Sequence, residues 1–148
     1  PLDRLVIEIT ENVYIDRHDH VIAREVAAMR ALGIRLALDD FGTGYASLTH
    51  LLTVPVDIIK IDKSFIGSLE PGAPSSVIVD GLLAIARKLG IDVVAEGIER
   101  PSQLEQLRAY GGLLAQGYLF SKAVDPHAMT ELFLQSAGAR SIPSGIIE

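Results

Sequence analysis

The sequence predicts an α/β fold built on a parallel sheet, and three observations carry that reading. Aliphatic runs of β-favouring residues alternate with stretches whose apolar residues recur at helical spacing, the pattern of strands joined by right-handed crossover helices. Two of these units resemble each other: Arg30–Asp39 aligns without gaps on Arg87–Glu96, so that Asp39 and Glu96 fall at the same place, the end of a strand. Polar groups also collect at five successive strand ends, at Glu8, Asp39, Lys60, Glu96 and Gln116. Such ends are where α/β folds gather their βα loops and bind ligands.

The first predicted strand, Leu5–Glu11, alternates so that Val6, Glu8 and Thr10 share a face, which places Glu8 where a core residue is expected. Asp16 is placed to cap a helix whose apolar face carries Ile22, Val26 and Met29, and Gly33 ends it. His18 and His20, two residues apart near its start, diverge on a helix and read as surface residues. Ile34–Asp39 forms the second strand and empties into Asp40-Phe41-Gly42-Thr43-Gly44-Tyr45. A short helical stretch over Ser47–Leu52 is interrupted by Pro55, and Val56–Asp62 is the third strand, with Ile58, Lys60 and Asp62 on one face. Glu70–Ser76 is a loop, and Ser75 or Ser76 caps a helix with Ile78, Leu82, Ile85 and Leu89 on its apolar side, stopped by Gly90. Ile91–Glu96 is the fourth strand. Pro101 starts a helix presenting Leu104 and Leu107, and Leu113–Tyr118 forms a fifth strand with Gln116 beside Leu114. Asp125-Pro126 caps and starts a last helix through Met129, Leu132 and Phe133, and residues 136–148 read as an irregular tail.

The bulk numbers suit one ordered domain. At 148 residues, with 49% hydrophobic residues and a mean hydropathy of +0.33, there is ample material for a core. A net charge of -6 offers no basic footprint for duplex nucleic acid, so that partner class is excluded. The absence of cysteine excludes disulfides, thiolate nucleophiles and sulfur-based zinc sites. No uninterrupted apolar run reaches the length of a spanning helix, and Pro1-Leu2-Asp3-Arg4 lacks the form of a signal peptide.

Each polar residue at a strand end has an ordinary reading. Paired acids serve as solvated turns and helix caps, and a lysine in a strand suits an edge. Five such groups at five successive strand ends are costly to keep without a shared ligand, and Lys60 needs anionic company if buried. Carboxylate and amide oxygens without sulfur favour Mg2+, Mn2+ or Ca2+. A pair of such ions, one acid bridging them, activates water for in-line attack at phosphorus while a lysine steadies the phosphoryl oxygens. Residue types and spacing therefore point to a metal-assisted hydrolase on an α/β barrel.

Five segments closely resemble the EAL-domain family, bacterial phosphodiesterases that hydrolyse the second messenger cyclic di-GMP to linear pGpG. They are Glu8-Ile9-Thr10-Glu11, Asp39 through Tyr45, Lys60-Ile61-Asp62, Ala95-Glu96-Gly97-Ile98-Glu99 and Gln116-Gly117-Tyr118-Leu119-Phe120. The resemblance implies that Glu8 and Asp39 are ligands of a first metal and that Asp39 bridges to a second, held also by Asp40 and Glu96. It implies that Lys60 positions the attacking water, and that Glu99 and Gln116 are further active-site residues, Gln116 on the substrate. Glu11 corresponds to a glutamate that holds the following loop, and Phe41, Gly42, Thr43, Gly44 and Tyr45 to a loop that couples dimerisation to catalysis. The implied cofactors are Mg2+ or Mn2+ in a two-metal site, with Ca2+ inhibitory. The implied partner is cyclic di-GMP, and the implied location is the cytoplasm, with any membrane anchor in a parent protein.

Ala46 replaces the family's usual serine, and Lys122-Ala123 stands where a basic residue and proline are usual; neither change removes a metal ligand. The family's barrel needs about 250 residues, so residues 1–135 are read as the C-terminal part of the domain, an incomplete TIM-like (β/α) barrel of about five βα units. The Glu-Ala-Leu signature, a substrate-gripping arginine and an asparagine ligand are absent from the stretch. The expectation is an enzyme by family that is inactive or weak as this chain, and a homodimer or higher oligomer that covers the open sheet. The alternative is a non-catalytic module that binds cyclic di-GMP or a protein partner.

Overall fold

The computed structural model describes residues 1–10, 19–42, 50–138 and 146–147. After a 3-10 turn at Leu2–Arg4 the elements are β1 (Val6–Thr10), α1 (Asp19–Ala31), β2 (Arg35–Phe41), α2 (His50–Thr53), β3 (Ile58–Ile61), α3 (Lys63–Gly67), α4 (Pro74–Leu89), β4 (Asp92–Ala95), α5 (Pro101–Arg108), β5 (Leu113–Ala115), α6 (Pro126–Gly138) and β6 (Ile146–Ile147). The strands lie in sequence order in one sheet. β1 to β5 pair in parallel, and β6 adds to β5 antiparallel. The five-stranded α/β arc anticipated from the alternating pattern is therefore present.

Period-two alternation divides the sheet into two faces. Leu36 and Leu38 on β2, Ile59 and Ile61 on β3, and Val93 and Ala95 on β4 pack into one core with Val26, Ile66, Val79, Leu83, Ala86 and Leu107 from the helices. Each buried aliphatic side chain of this layer contributes roughly 2 kcal/mol. The alternate residues, among them Glu8, Ala37, Ile58, Lys60 and Val94, belong to the opposite face, where Ala37, Ile58 and Lys60 are also buried.

Several local expectations are corrected. α4 buries Ser76, Val79, Leu82, Leu83 and Ala86, whereas Ile78 and Leu89 are exposed. The small residues Ser76 and Ala86 define the stripe that approaches the sheet, and the long aliphatic run had offered two stripes to choose from. Neither serine caps α4. Its N-cap is Ala73 with Pro74 at the first helical position, while Ser75 Oγ donates to Ser68 O at 2.6 Å and Ser76 Oγ donates to Glu70 O. Glu8 lies on the more open face of β1, its side chain 51% exposed, so it does not occupy a core position. Met129, Leu132 and Phe133 on α6 are exposed, although Asp125 caps that helix as expected, accepting from His127 N at 2.9 Å and Ala128 N at 3.0 Å. Within the stretch read as an irregular tail, residues 136–138 continue α6 and Ile146–Ile147 pair with β5. The sequence reading also passed over α3, whose start is an Asp-x-Ser signal: Asp62 Oδ1 accepts from Ser64 N at 2.9 Å.

Candidate metal centre at the strand ends

β2 and β3 lose register where the candidate acids stand. Leu38 pairs with Ile59 and Phe41 with Ile61, so two residues, Asp39 and Asp40, oppose the single residue Lys60. This is a bulge, and Asp40 takes the left-handed conformation with φ 54°, which aspartate tolerates better than most side chains. Regular alternation would send adjacent side chains to opposite faces. Here one carboxylate oxygen from each of Asp39, Asp40 and Glu96 lies within 4.8 Å of the other two. Glu96 reaches this point from the end of β4, its N–H extending the ladder to Ile61 O at 3.1 Å.

Lys60 occupies the strand between those acids. Its side chain is 9% exposed, and Nζ lies 2.8 Å from Glu8 Oε1, 2.8 Å from Asp39 Oδ1 and 2.8 Å from Glu96 Oε1. β3 is thus a central strand, and the lysine has the anionic company that burial requires. Burial, the largest single influence, pulls its pKa down, but the contacts with Asp39, Glu8 and Glu96 together with the charge of Glu96 outweigh it and leave the pKa above the ordinary lysine value.

Glu8, Asp39 and Glu96 set three carboxylates against the one Lys60 ammonium, and Asp40 adds a fourth carboxylate beside Asp39 and Glu96. Two carboxylates 4.8 Å apart repel by about 3 kcal/mol at an effective dielectric near 20. Asp39 Oδ1 is buried and, apart from the ion pair to Lys60, meets no aligned hydrogen-bond donor among the described residues. An oxygen-only donor set with residual negative charge and a buried oxygen short of donors fits a hard divalent cation.

Glu96 also joins this cluster to a cavity of about 260 Å3, whose walls include Glu99, Gln116, Lys63 and Tyr118. The Glu96–Glu99 turn is sewn to the end of β5: Ile98 N donates to Gln116 O at 3.1 Å, and Leu119 N donates to Ile98 O at 2.9 Å. A Cβ on Gly117 would lie 2.1 Å from Ile98 O, so only glycine permits this approach. A larger cavity, about 440 Å3, opens at the other end of the strands against Leu51, Pro55 and Ile91, where Arg30 and Asp57 already pair at 2.7 Å. The smaller one is lined by Glu96 and Glu99 and is the better candidate.

The family-model comparison matches residues 1–123 to the EAL domain. The chain belongs to the EAL domain family. This EAL chain is 42% identical over 132 residues to the cyclic di-GMP phosphodiesterase NbdA of Pseudomonas aeruginosa, a match covering 89% of the chain and 17% of that relative. It superposes on the crystal structure of the EAL domain of Mycobacterium smegmatis DcpA with a TM-score of 0.86 at 34% identity, covering 91% of the chain and 60% of that domain. It also superposes on a manganese and cyclic di-GMP complex of Klebsiella pneumoniae BlrP1, with a TM-score of 0.74 at 36% identity over 81% of the chain and 30% of that protein. The EAL chain thus spans a small fraction of the curated relative and about three fifths of the DcpA domain. The strand order identifies the fold as a segment of the family's TIM-like barrel.

Of the predicted site residues, Glu8, Asp39, Lys60 and Glu96 form one ion-pair cluster, Asp40 stands with Asp39 and Glu96, and Glu99 and Gln116 line the adjoining cavity. Phe41 is buried at the end of β2, and a Cβ on Gly42 would lie 2.8 Å from the Phe65 ring. Glu11, Thr43, Gly44 and Tyr45 lie outside the described residues, as do Asp16 and His18. Sequence reasoning gave no part to Lys63, whose Cβ would crowd any side chain at Gly97, or to Gln103. The latter stands three residues after Arg100, the acceptor position of a capping box, and that signal was available.

Proposed function

We propose that the chain carries part of the active site of a metal-dependent phosphodiesterase that hydrolyses cyclic di-GMP to pGpG, with Asp39, Asp40, Glu96 and Glu8 as cation ligands. The observation that carries this reading is the convergence of Asp39, Asp40 and Glu96 oxygens within 4.8 Å beside a buried lysine. The likeness to a phosphodiesterase and to a manganese and cyclic di-GMP complex supplies the substrate and favours Mg2+ or Mn2+.

A divalent cation held there supplies Lewis-acid polarisation of water and of a phosphoryl oxygen. The protein's own part follows from its geometry. Lys60 keeps its proton throughout the neutral range and holds a fixed positive charge for a phosphodiester anion. Asp39 and Glu96 flank that ammonium from the two neighbouring strands and keep it from swinging away. Glu99 and Gln116 contribute a carboxylate and an amide to the cavity wall, suited to hydrogen-bonding a nucleotide's donors and acceptors.

The 148 residues contain no Glu-Ala-Leu triplet, so the chain alone is proposed to be weak or inactive and to associate into a dimer or larger assembly across its open sheet. No helix among the described residues is long and apolar enough to cross a membrane, and a cytoplasmic site of action is proposed. Titration with Mn2+ and assay of cyclic di-GMP hydrolysis, both in the chain and in a longer protein that contains it, test the reading. The expectation is Mn2+ binding in both, with turnover to pGpG only in the longer protein and its loss in Glu96→Gln. Nucleotide binding without turnover in the longer protein would favour a non-catalytic module instead.

A further inference from the structure

The turn that bears Glu96 and Glu99 is gripped from below by one side chain. Gln103, on the first turn of α5, is 3% exposed and shares full burial with only two other polar residues among those described, Lys60 and Ser76. Its Oε1 accepts from Glu99 N at 3.0 Å and from Arg100 N at 2.8 Å, and its Nε2 donates to Ile66 O at 3.1 Å. Arg100 adds a second tie to the same place, its guanidinium donating to Gly67 O at 3.1 Å. Ile66 and Gly67 belong to α3, which starts immediately after Lys60-Ile61-Asp62.

Capping α5 would need only an acceptor, and filling the core would need no polar atom at all, since a buried amide is costly unless each of its groups is paired. The donor side of Gln103 serves neither purpose. It joins the turn after β4 to the helix after β3, the two strands whose ends hold Glu96 and Lys60. The far end of the turn is already fixed by Glu96 N on Ile61 O and by Gly97 against Lys63. With Gln103 in place, the five residues from Glu96 to Arg100 are held at both ends.

We propose that Gln103 is a positioning residue, which holds the Glu96–Glu99 turn at the distance from β3 that the cation site requires. The proposal rests on the reading of Asp39, Asp40 and Glu96 as cation ligands. It is tested by titrating the 148-residue chain with Mn2+, following the electron paramagnetic resonance of the free ion, and recording thermal unfolding of the same samples.

Gln103→Met should weaken Mn2+ binding about tenfold, the scale expected for loss of a group that orients a ligand. Gln103→Glu keeps the acceptor for Glu99 N and Arg100 N, and so still caps α5, while giving up the donor to Ile66 O, and should lose Mn2+ affinity as Gln103→Met does. A Gln103→Met chain that melts lower but binds Mn2+ as tightly as the unsubstituted one would overturn the proposal, and so would a Gln103→Glu chain that keeps full Mn2+ affinity without the donor to Ile66 O. If Gln103→Met does not fold, Gln103→Asn, one methylene short, is read in its place, with the same loss expected and unchanged affinity overturning the proposal. Failure of the unsubstituted chain to bind Mn2+ would instead refute the cation site itself, and this proposal with it.

Discussion

Lys60 Nζ lies 2.8 Å from Asp39 Oδ1 at the point where the β2–β3 ladder gains one residue. The ammonium is buried, so the pair is not a solvent-screened surface contact. Replacing Lys60 by Met leaves Asp39 and Glu96 without their cation and should cost about 3 kcal/mol, the low end for breaking a buried pair because Glu8 is half exposed. Urea unfolding measures this; a loss under about 0.5 kcal/mol would mean that the pairs are screened like exposed ones.

The same lysine sets an alkaline limit. Its folded pKa lies above the unfolded value of about 10.4, so its contribution is complete below that value and fades as pH rises through the folded value. The stability gap between the unsubstituted chain and Lys60→Met should be flat from about pH 7 to about pH 9 and narrow only in stronger alkali. A gap that closed near neutrality would contradict the ion-pair geometry.

Asp40 separates backbone strain from ligand chemistry. At φ 54° an alanine pays the left-handed penalty of about 1 kcal/mol, whereas glycine does not. Asp40→Ala should therefore fall below Asp40→Gly in stability. Both should lose Mn2+ affinity. Calorimetric titration beside thermal melts distinguishes the two effects, and full Mn2+ affinity in Asp40→Gly would remove Asp40 from the ligand set.

Gly117 and Gly81 form a contrasting pair. A Cβ at Gly117 meets the Ile98 backbone at 2.1 Å and 2.3 Å, while one at Gly81, inside α4, meets nothing within 4 Å. Gly117→Ala should destabilise by more than about 2 kcal/mol because backbone must move, and Gly81→Ala should stabilise by up to about 1 kcal/mol. Equal melting temperatures for the two variants would refute the close approach of the turns.

Asp62 caps α3, and its contacts with Ser64 and Lys63 outweigh burial to hold its carboxyl below the usual aspartate value. Such a group stabilises fully above its unfolded pKa of about 3.9 and loses that contribution as pH falls through the folded value. Asp62→Ala should cost about 1 kcal/mol at neutral pH, and the difference should shrink in acid. A difference that grew below about pH 4 would have the wrong sign for a capping carboxylate.

The five parallel strands and the strand ends that bear the acids were legible because aliphatic alternation and the Arg30–Asp39 and Arg87–Glu96 repeat are local signals. The partnership of Lys60 with three acids was legible only as a demand for anionic neighbours. What stayed hidden depended on tertiary distance. The bulge leaves no mark beyond two adjacent aspartates, and alternation argues against both sharing a site. The buried stripe of α4 was found at Leu82 but not at its neighbours, because Ile78 and Val79 are equally apolar and only contact with the sheet selects Val79. Gln103 drew no reading because the partner of its amide N–H, Ile66 O, lies on α3, a helix that was itself overlooked.

In the proposed cation site, the consecutive donors Asp39 and Asp40 would form a chelate whose bite is limited by one peptide unit, about 3.8 Å between α-carbons. Glu96, by contrast, reaches them across the full width of β3, from a strand about 10 Å away. The adjustable dimension of the cage is therefore the spacing of the sheet, not the aspartate pair. In the proposed cation site, ion radius would be matched by how far β4 stands from β2, so a core substitution such as Ile59→Val, which touches no donor, is expected to change which ion fits.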